Sequence, residues 1–145
     1  MNPEINKIDK KIVLWMKKYE LTILRYTVAV VFIWFGALKI FGYSPAQVLV
    51  TKTVYWFNPD WFVPFLGWWE VIIGLCFLFR PLLREAIFLL ALQMLGTFLP
   101  LILLPNIVYG PIPIITLTLE GQYIIKNLVI IGAALVIGSH VRDKR

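Results

Sequence analysis

Cysteine, histidine and charge are all scarce in this chain of 145 residues. It has one cysteine, Cys76, and one histidine, His140. An internal disulfide, a Cys-x-x-Cys redox centre, a bis-histidine haem and a zinc site are therefore excluded for a single chain. Charged residues make up only 15% of the sequence, against about 25% in an ordinary soluble domain. We expect no intrinsic metal or cofactor and no catalytic residue.

Hydrophobic residues, in contrast, are unusually abundant. They account for 60% of the chain, and the mean hydropathy is +0.81. A soluble domain of about this length buries only about 70% of its surface, so it could not hide so much apolar area from water. The composition thus excludes a soluble enzyme, a disordered tail and a nucleic-acid-binding domain. Six Trp, six Tyr and ten Phe fit a membrane protein, because aromatic rings collect at membrane interfaces.

Four apolar segments are long enough to cross a bilayer, which takes about 20 helical residues. The sequence predicts spans at residues 21–41, 61–79, 84–103 and 122–139, which together form a four-helix transmembrane domain over residues 21–139. Between the first two spans, residues 48–57 are too few to cross and predict a short interfacial helix or cap. Prolines at 100, 105, 111 and 113 end the third span and predict an apolar loop after it.

Both ends of the chain are basic. Residues 1–20 place Ile5, Ile8, Ile12 and Trp15 at helical spacing between lysines, which predicts an amphipathic helix in the cytoplasmic interface. A mobile basic tail is the alternative for this segment, and residues 140–145 form a second basic tail. With four spans and both termini inside, 11 of the 14 Lys and Arg residues are cytoplasmic. The positive-inside rule therefore predicts that both termini face the cytoplasm.

Polar side chains fall inside or next to the predicted spans, where an ionisable group costs about 2.5–3.5 kcal/mol on insertion scales. Glu70 and Gln93 are each the tenth residue of a span, so both are expected near the middle of the membrane. Small residues on the same helix face, such as Gly67 before Glu70, favour close packing against another helix. Glu70 is therefore predicted to form an ion pair with Lys39 or Lys126.

These polar residues permit more than one interpretation. They could serve only to fix the register of the helices, or they could line a pocket in the middle and outer half of the bundle that binds a quinone or another small amphiphile. A proton path through Glu70 is a third interpretation. The candidate polar residues are Lys39, Glu70, Gln93, Glu120, Gln122, Lys126 and Asn127, with aromatic walls from Trp34, Phe35, Trp68, Trp69 and Tyr123.

Three motifs carry a resemblance to a known family. Residues 32–46, FIWFGALKIFGYSPA, place Trp-Phe-Gly-x-x-Lys at the end of the first span, and residues 118–128, TLEGQYIIKNL, open the last span. With Gly-Trp-Trp-Glu-x-x-x-Gly at 67–74 and the four-span length, they resemble the DoxX-like family, and most closely its YkgB-type inner-membrane proteins. The likeness covers about residues 20–140. The family-like positions are Lys39, Glu70, Glu120, Gln122, Lys126 and Asn127.

The resemblance implies a function as well as a fold. It implies a four-helix bundle in the cytoplasmic membrane of a bacterium or archaeon, acting as an accessory or binding subunit in quinone-coupled respiration or oxidant defence. The alternatives are a subunit of a quinone-linked membrane oxidoreductase whose redox centre belongs to a partner chain, and a small transporter. The expected partners are membrane lipids, a respiratory or redox protein and a second copy of the chain, but not nucleic acid.

Overall fold

Helices make up most of the molecule. The computed structural model describes residues 3–112 and 114–142, and no β-strand occurs among them. The α-helices are α1 (Pro3–Ile40), α2 (Gln47–Thr53), α3 (Pro59–Leu78), α4 (Leu83–Phe98), α5 (Pro100–Leu103), α6 (Pro105–Val108), α7 (Leu119–Ile125) and α8 (Asn127–Ser139). A 3-10 turn at Arg80–Leu82 joins α3 to α4. The predicted all-α fold class is confirmed.

Four helical stretches are long and apolar enough to span a membrane. They are Glu4–Ile40, Pro59–Leu78, Arg80–Leu103 and Leu119–Ser139, the last two of which combine consecutive helices. The four predicted spans fall on these four stretches. The last three begin two to four residues earlier in the structure than in the prediction, because capping and turn residues such as those at 80–82 are already helical.

The long helices close into a four-membered bundle. Helix α1 packs against α3, α3 against α4, α4 against α8, and α8 against α1. The most deeply buried side chains include Ile73 and Phe77 of α3, Leu90 of α4 and Ile137 of α8. The same buried cluster includes residues of α1, so the apolar core lies between all four long helices, near the connection at residues 79–82. We call this the 79–82 end, and the opposite one, which carries α2, the α2 end.

Glycines bring α1 and α3 into backbone contact. A Cβ atom at Gly36 would lie 2.5 Å from the carbonyl oxygen of Gly67, and one at Gly74 would lie 2.8 Å from that of Ala29. A later residue of α1 thus contacts an earlier residue of α3, so the two helices are antiparallel. Small residues at a membrane helix interface permit this close approach, and here they fix the register of the pair.

Helix α1 continues without a break across the boundary that the sequence predicts at residue 20. Its 38 residues correspond to about 57 Å at 1.5 Å per residue, nearly twice the thickness of a hydrocarbon core. Residues 7–20 are all exposed. Residues 3–20 and the first span therefore belong to one helix, and an interfacial position of residues 1–20, of which the first two lie outside the described residues, stays a prediction. Of the basic tail at 140–145, residues 143–145 lie outside the described residues.

The third and fourth spans are each divided into consecutive helices. The third divides at Leu99, just before Pro100, because proline cannot donate the next helical hydrogen bond. The fourth divides at Lys126. Both dividing residues keep right-handed helical dihedrals, with φ and ψ of −56° and −38° at Leu99 and −57° and −23° at Lys126.

Short helices and a hydrogen-bonded segment after α6 lie at the α2 end. The predicted short helix within residues 48–57 is found as α2, at Gln47–Thr53. After α6, the Thr118 hydroxyl donates to the Ile107 carbonyl oxygen at 2.6 Å and accepts from the Gly121 amide at 3.2 Å, which caps α7. A Cβ atom at Gly121 would clash with the carbonyl oxygen of Val108. The Thr-x-x-Gly part of the 118–128 motif is thus explained by the docking of α7 onto α6.

Candidate functional site

A buried ion pair joins α1 to α3. The ammonium of Lys39 donates to Oε2 of Glu70 at 2.6 Å. Only 7% of Lys39 and 8% of Glu70 are exposed. Of the two partners that the sequence offers to Glu70, the structure therefore selects Lys39. Glu70 lies near the middle of α3, so this is a charged pair within a potential membrane span.

The antiparallel arrangement of α1 and α3 explains why these two side chains meet. Gly36 lies against Gly67 and Val71, and this register offsets the backbones of Lys39 and Glu70 by about one helical turn along the bundle. Each Cα–Cβ bond in a helix tilts toward that helix's own N-terminus. In an antiparallel pair the two side chains consequently lean toward each other, which closes the offset.

A third helix completes the site. The amide nitrogen Nε2 of Gln93, in α4, donates to Oε1 of Glu70 at 2.9 Å. The hydroxyl of Thr97, one turn further along α4, donates to the Gln93 carbonyl oxygen at 3.0 Å. Each carboxylate oxygen of Glu70 therefore accepts one hydrogen bond, from two different helices. We call Lys39, Glu70 and Gln93 the buried triad.

The charges within the buried triad cancel, and some of its N–H groups do not bind Glu70. Pairing and hydrogen bonding offset the cost of removing two charges from water. An ammonium carries three N–H groups and a primary amide two, so Lys39 and Gln93 each have donors beyond the bond to Glu70. Beside Glu70, the indole Nε1 of Trp69 is buried and has no hydrogen-bond partner within residues 3–112 and 114–142. Lys39, Gln93 and Trp69 thus offer N–H donors beyond the two that bind Glu70.

The remaining polar candidates lie apart from the triad. Glu120, Gln122 and Lys126 are exposed at the α2 end. The Lys126 ammonium lies 5.3 Å from the ring centroid of Tyr123. The amide of Asn127 donates to the carbonyl oxygens of Tyr123 and Ile124, at 2.9 and 3.1 Å, within its own segment. We call these five residues, 120, 122, 123, 126 and 127, the α7 group.

The predicted aromatic walls lie mostly on the outside of the bundle. More than half of the side-chain surface of Trp34, Phe35, Trp68 and Tyr123 is exposed. Trp69 differs, because it packs against the apolar core and its ring lies 6.2 Å from that of Phe65. Among the five predicted wall residues, Trp69 is thus the one that is not exposed.

Sequence reasoning missed the role of Arg25. Its guanidinium is buried and donates from Nε to the Phe77 carbonyl oxygen at 3.2 Å and from Nη2 to that of Leu78 at 2.9 Å. These carbonyls belong to the last turn of α3, which has no intrahelical donors and carries a partial negative charge. The sequence contains a signal for this contact. Arg25 in the first span and the helix end at Phe79-Arg80-Pro81 are predicted at the same depth in the membrane.

Comparison of the chain with family models, curated proteins and solved structures gives no match in any of the three. The resemblance to the DoxX-like family thus rests on the motifs alone and stays a prediction. The structure does give those motifs a physical meaning. Gly36 and Lys39 of Trp-Phe-Gly-x-x-Lys meet Gly67 and Glu70 of Gly-Trp-Trp-Glu across the α1–α3 contact.

Proposed function

We propose that this chain is a small membrane protein of DoxX-like type that binds a quinone as an accessory subunit of respiration or oxidant defence. The buried triad is the observation that carries the proposal. A charged pair inside a membrane span is expensive, and membrane proteins place such groups where they serve a ligand, an ion or a proton. The motifs that contain Lys39 and Glu70 are also those that carry the family resemblance.

The N–H donors that do not bind Glu70 indicate the chemistry of the ligand. A quinone presents two carbonyl acceptors on a flat apolar ring, and it is dissolved in the bilayer. Lys39, Gln93 and the Trp69 indole offer N–H donors, and an acceptor ligand would satisfy the buried Nε1 of Trp69. When bound, a quinone supplies two-electron redox chemistry. The residues of this chain bind and orient it.

The test separates binding from folding by removing both charges together. In a Lys39→Met/Glu70→Met variant no unpaired charge remains, and buried ion pairs replaced by apolar residues of similar volume commonly leave stability unchanged. We expect this variant to accumulate like wild type and to lose retained quinone and oxidant tolerance. Lys52→Met, an exposed change on α2, is the matched control and should behave like wild type. Equal quinone retention in the double variant and wild type at matched expression would refute the proposal.

We further propose that the protein lies in a bacterial or archaeal cytoplasmic membrane with both termini inside. The charge asymmetry along the chain supports this orientation. In a Cys76→Ala background, Lys52→Cys should react with a membrane-impermeant thiol reagent in intact cells, and Lys10→Cys should react only after lysis. Both positions are exposed in the structure. Labelling of Lys10→Cys in intact cells would reverse the orientation.

A further inference from the structure

The 79–82 end of the bundle carries two adjoining clefts with basic linings. Arg25, Arg80 and His140 line the first, between α1, the start of α4 and the end of α8. Arg84 and Arg142 line the second, between α4 and the end of α8. Val141 lines both, so the clefts meet. No acidic side chain of the described residues lines either one.

Arg25 is held rigidly at the first cleft. Its two hydrogen bonds to the end of α3 use two of the five donors of a guanidinium and fix the plane of the group. A guanidinium is planar and matches the geometry of phosphate oxygens, and three donors of Arg25 make no hydrogen bond to the described residues. The conformational entropy of this side chain is already lost in the folded protein, so an anion that binds it does not have to order it.

The start of α4 adds to the positive potential. Leu83 lines the first cleft and Arg84 the second, both in the first turn of α4. Within the described residues no side chain caps this N-terminus, and a helix N-terminus carries a partial positive charge. Glu85 also lies in this turn but lines neither cleft. Four arginines and a helix N-terminus thus converge on one connected surface.

We propose that these clefts bind the phosphate of an anionic phospholipid from the surrounding bilayer. Basic pockets between membrane helices are the kind of site that anionic head groups occupy. A lipid is favoured over free phosphate because the second cleft includes an apolar surface, which Ile87, Gly138 and Val141 line next to the two arginines. The acyl chains would cover this surface while the phosphate meets the arginines.

The experiment measures lipid binding to the purified full chain in a neutral detergent. Phosphatidylglycerol, phosphatidylcholine and inorganic phosphate are added separately, and bound lipid is counted by native mass spectrometry. We expect tight retention of phosphatidylglycerol only. In an Arg84→Gln/Arg142→Gln variant its affinity should fall about 30-fold, because each basic residue near a membrane surface contributes about one factor of five. Neither arginine side chain makes a hydrogen bond that the described fold requires, so the variant should fold.

Matched variants and ligands distinguish binding in the clefts from a nonspecific attraction of anionic lipid to a basic protein. Lys10→Gln/Lys11→Gln removes the same charge from the exposed part of α1 and should leave phosphatidylglycerol retention unchanged. An equal loss in both double variants would overturn the proposal, since net charge alone would then explain binding. Equal retention of phosphatidylcholine would also overturn it. Retention of inorganic phosphate as tight as that of phosphatidylglycerol would overturn the lipid assignment and assign the clefts to a free anion instead.

Discussion

The buried triad and the α7 group have similar residues but opposite environments. Lys39 and Glu70 are buried and bond across helices, whereas Glu120 and Lys126 are exposed, and the Lys126 ammonium lies over a ring of its own helix. The difference arises from the glycines. Gly36 and Gly67 precede Lys39 and Glu70 by three residues and share one contact, so the charged side chains are drawn between the helices. Paired glycines at this spacing, rather than polar composition, mark the buried site.

The largest expected effect comes from leaving one charge of the triad without its partner. Glu70→Ala should lower the free energy of unfolding by about 3–5 kcal/mol, because Lys39 would remain buried and unpaired. Glu70→Gln should cost less, since the amide still accepts a hydrogen bond. Unfolding in detergent, followed by circular dichroism, measures both. An unchanged melting temperature for Glu70→Ala would show that the pair does not contribute to stability.

Breaking the glycine contact should have the next largest effect. Gly36→Ala places a Cβ atom against the Gly67 carbonyl oxygen, and overpacking of this kind costs about 1–3 kcal/mol. Gly132→Ala in α8 is the matched control, because no atom lies within 4 Å of a Cβ atom there. That control should gain about 0.5–1 kcal/mol from the better helix propensity of alanine. The same unfolding measurement should therefore give opposite signs, and equal signs would contradict the contact.

Removing the amide of the triad should have a smaller effect. Gln93→Leu deletes one donor to Glu70 but leaves the ion pair with Lys39, so we expect a loss of about 1–2 kcal/mol. Gln122→Leu, the same change at an exposed position of the α7 group, is expected to stay within about 0.5 kcal/mol of wild type. If the two variants melt alike, Gln93 is not part of the site.

The smallest effect is expected in the α7 group itself. Lys126→Met removes an exposed ammonium whose one ring contact is worth less than about 1 kcal/mol. Its melting temperature should stay close to that of wild type, and it should also retain quinone if the triad is the binding site. Loss of quinone by Lys126→Met with the triad intact would transfer the site to the α7 group.

Most of the fold was predictable from the sequence, because the length of an apolar run indicates the length of the helix that it forms. The four spans, the short helix before α3 and the proline-terminated third span follow from runs of apolar residues and from prolines. The unbroken α1 did not follow. Lysines at residues 7–18 change the polarity of the helix without breaking its backbone hydrogen bonds, so a change of polarity along the chain does not mark the end of a helix.

The site was predictable in part, for a similar reason. Spacing along one helix shows which residues share a face, and this was sufficient to select Glu70, Gln93 and Lys39. The choice between Lys39 and Lys126 depends on the register between helices, which no single helix encodes. The hydrogen bonds of Arg25 to the end of α3 are likewise set by that register.

The length of α1 has a mechanical consequence. Helix α1 is held against α3 from Arg25, which bonds to the end of α3, to Gly36, which lies against Gly67. Glu4 lies 21 residues before Arg25, about 32 Å further along the same continuous helix. A change of about 10° in the direction of α1 would therefore displace its first turn by about 6 Å relative to the bundle, by simple geometry on the helical rise. A small tilt of the packed part of α1 would thus move the lysine-rich segment by about the length of one helical turn.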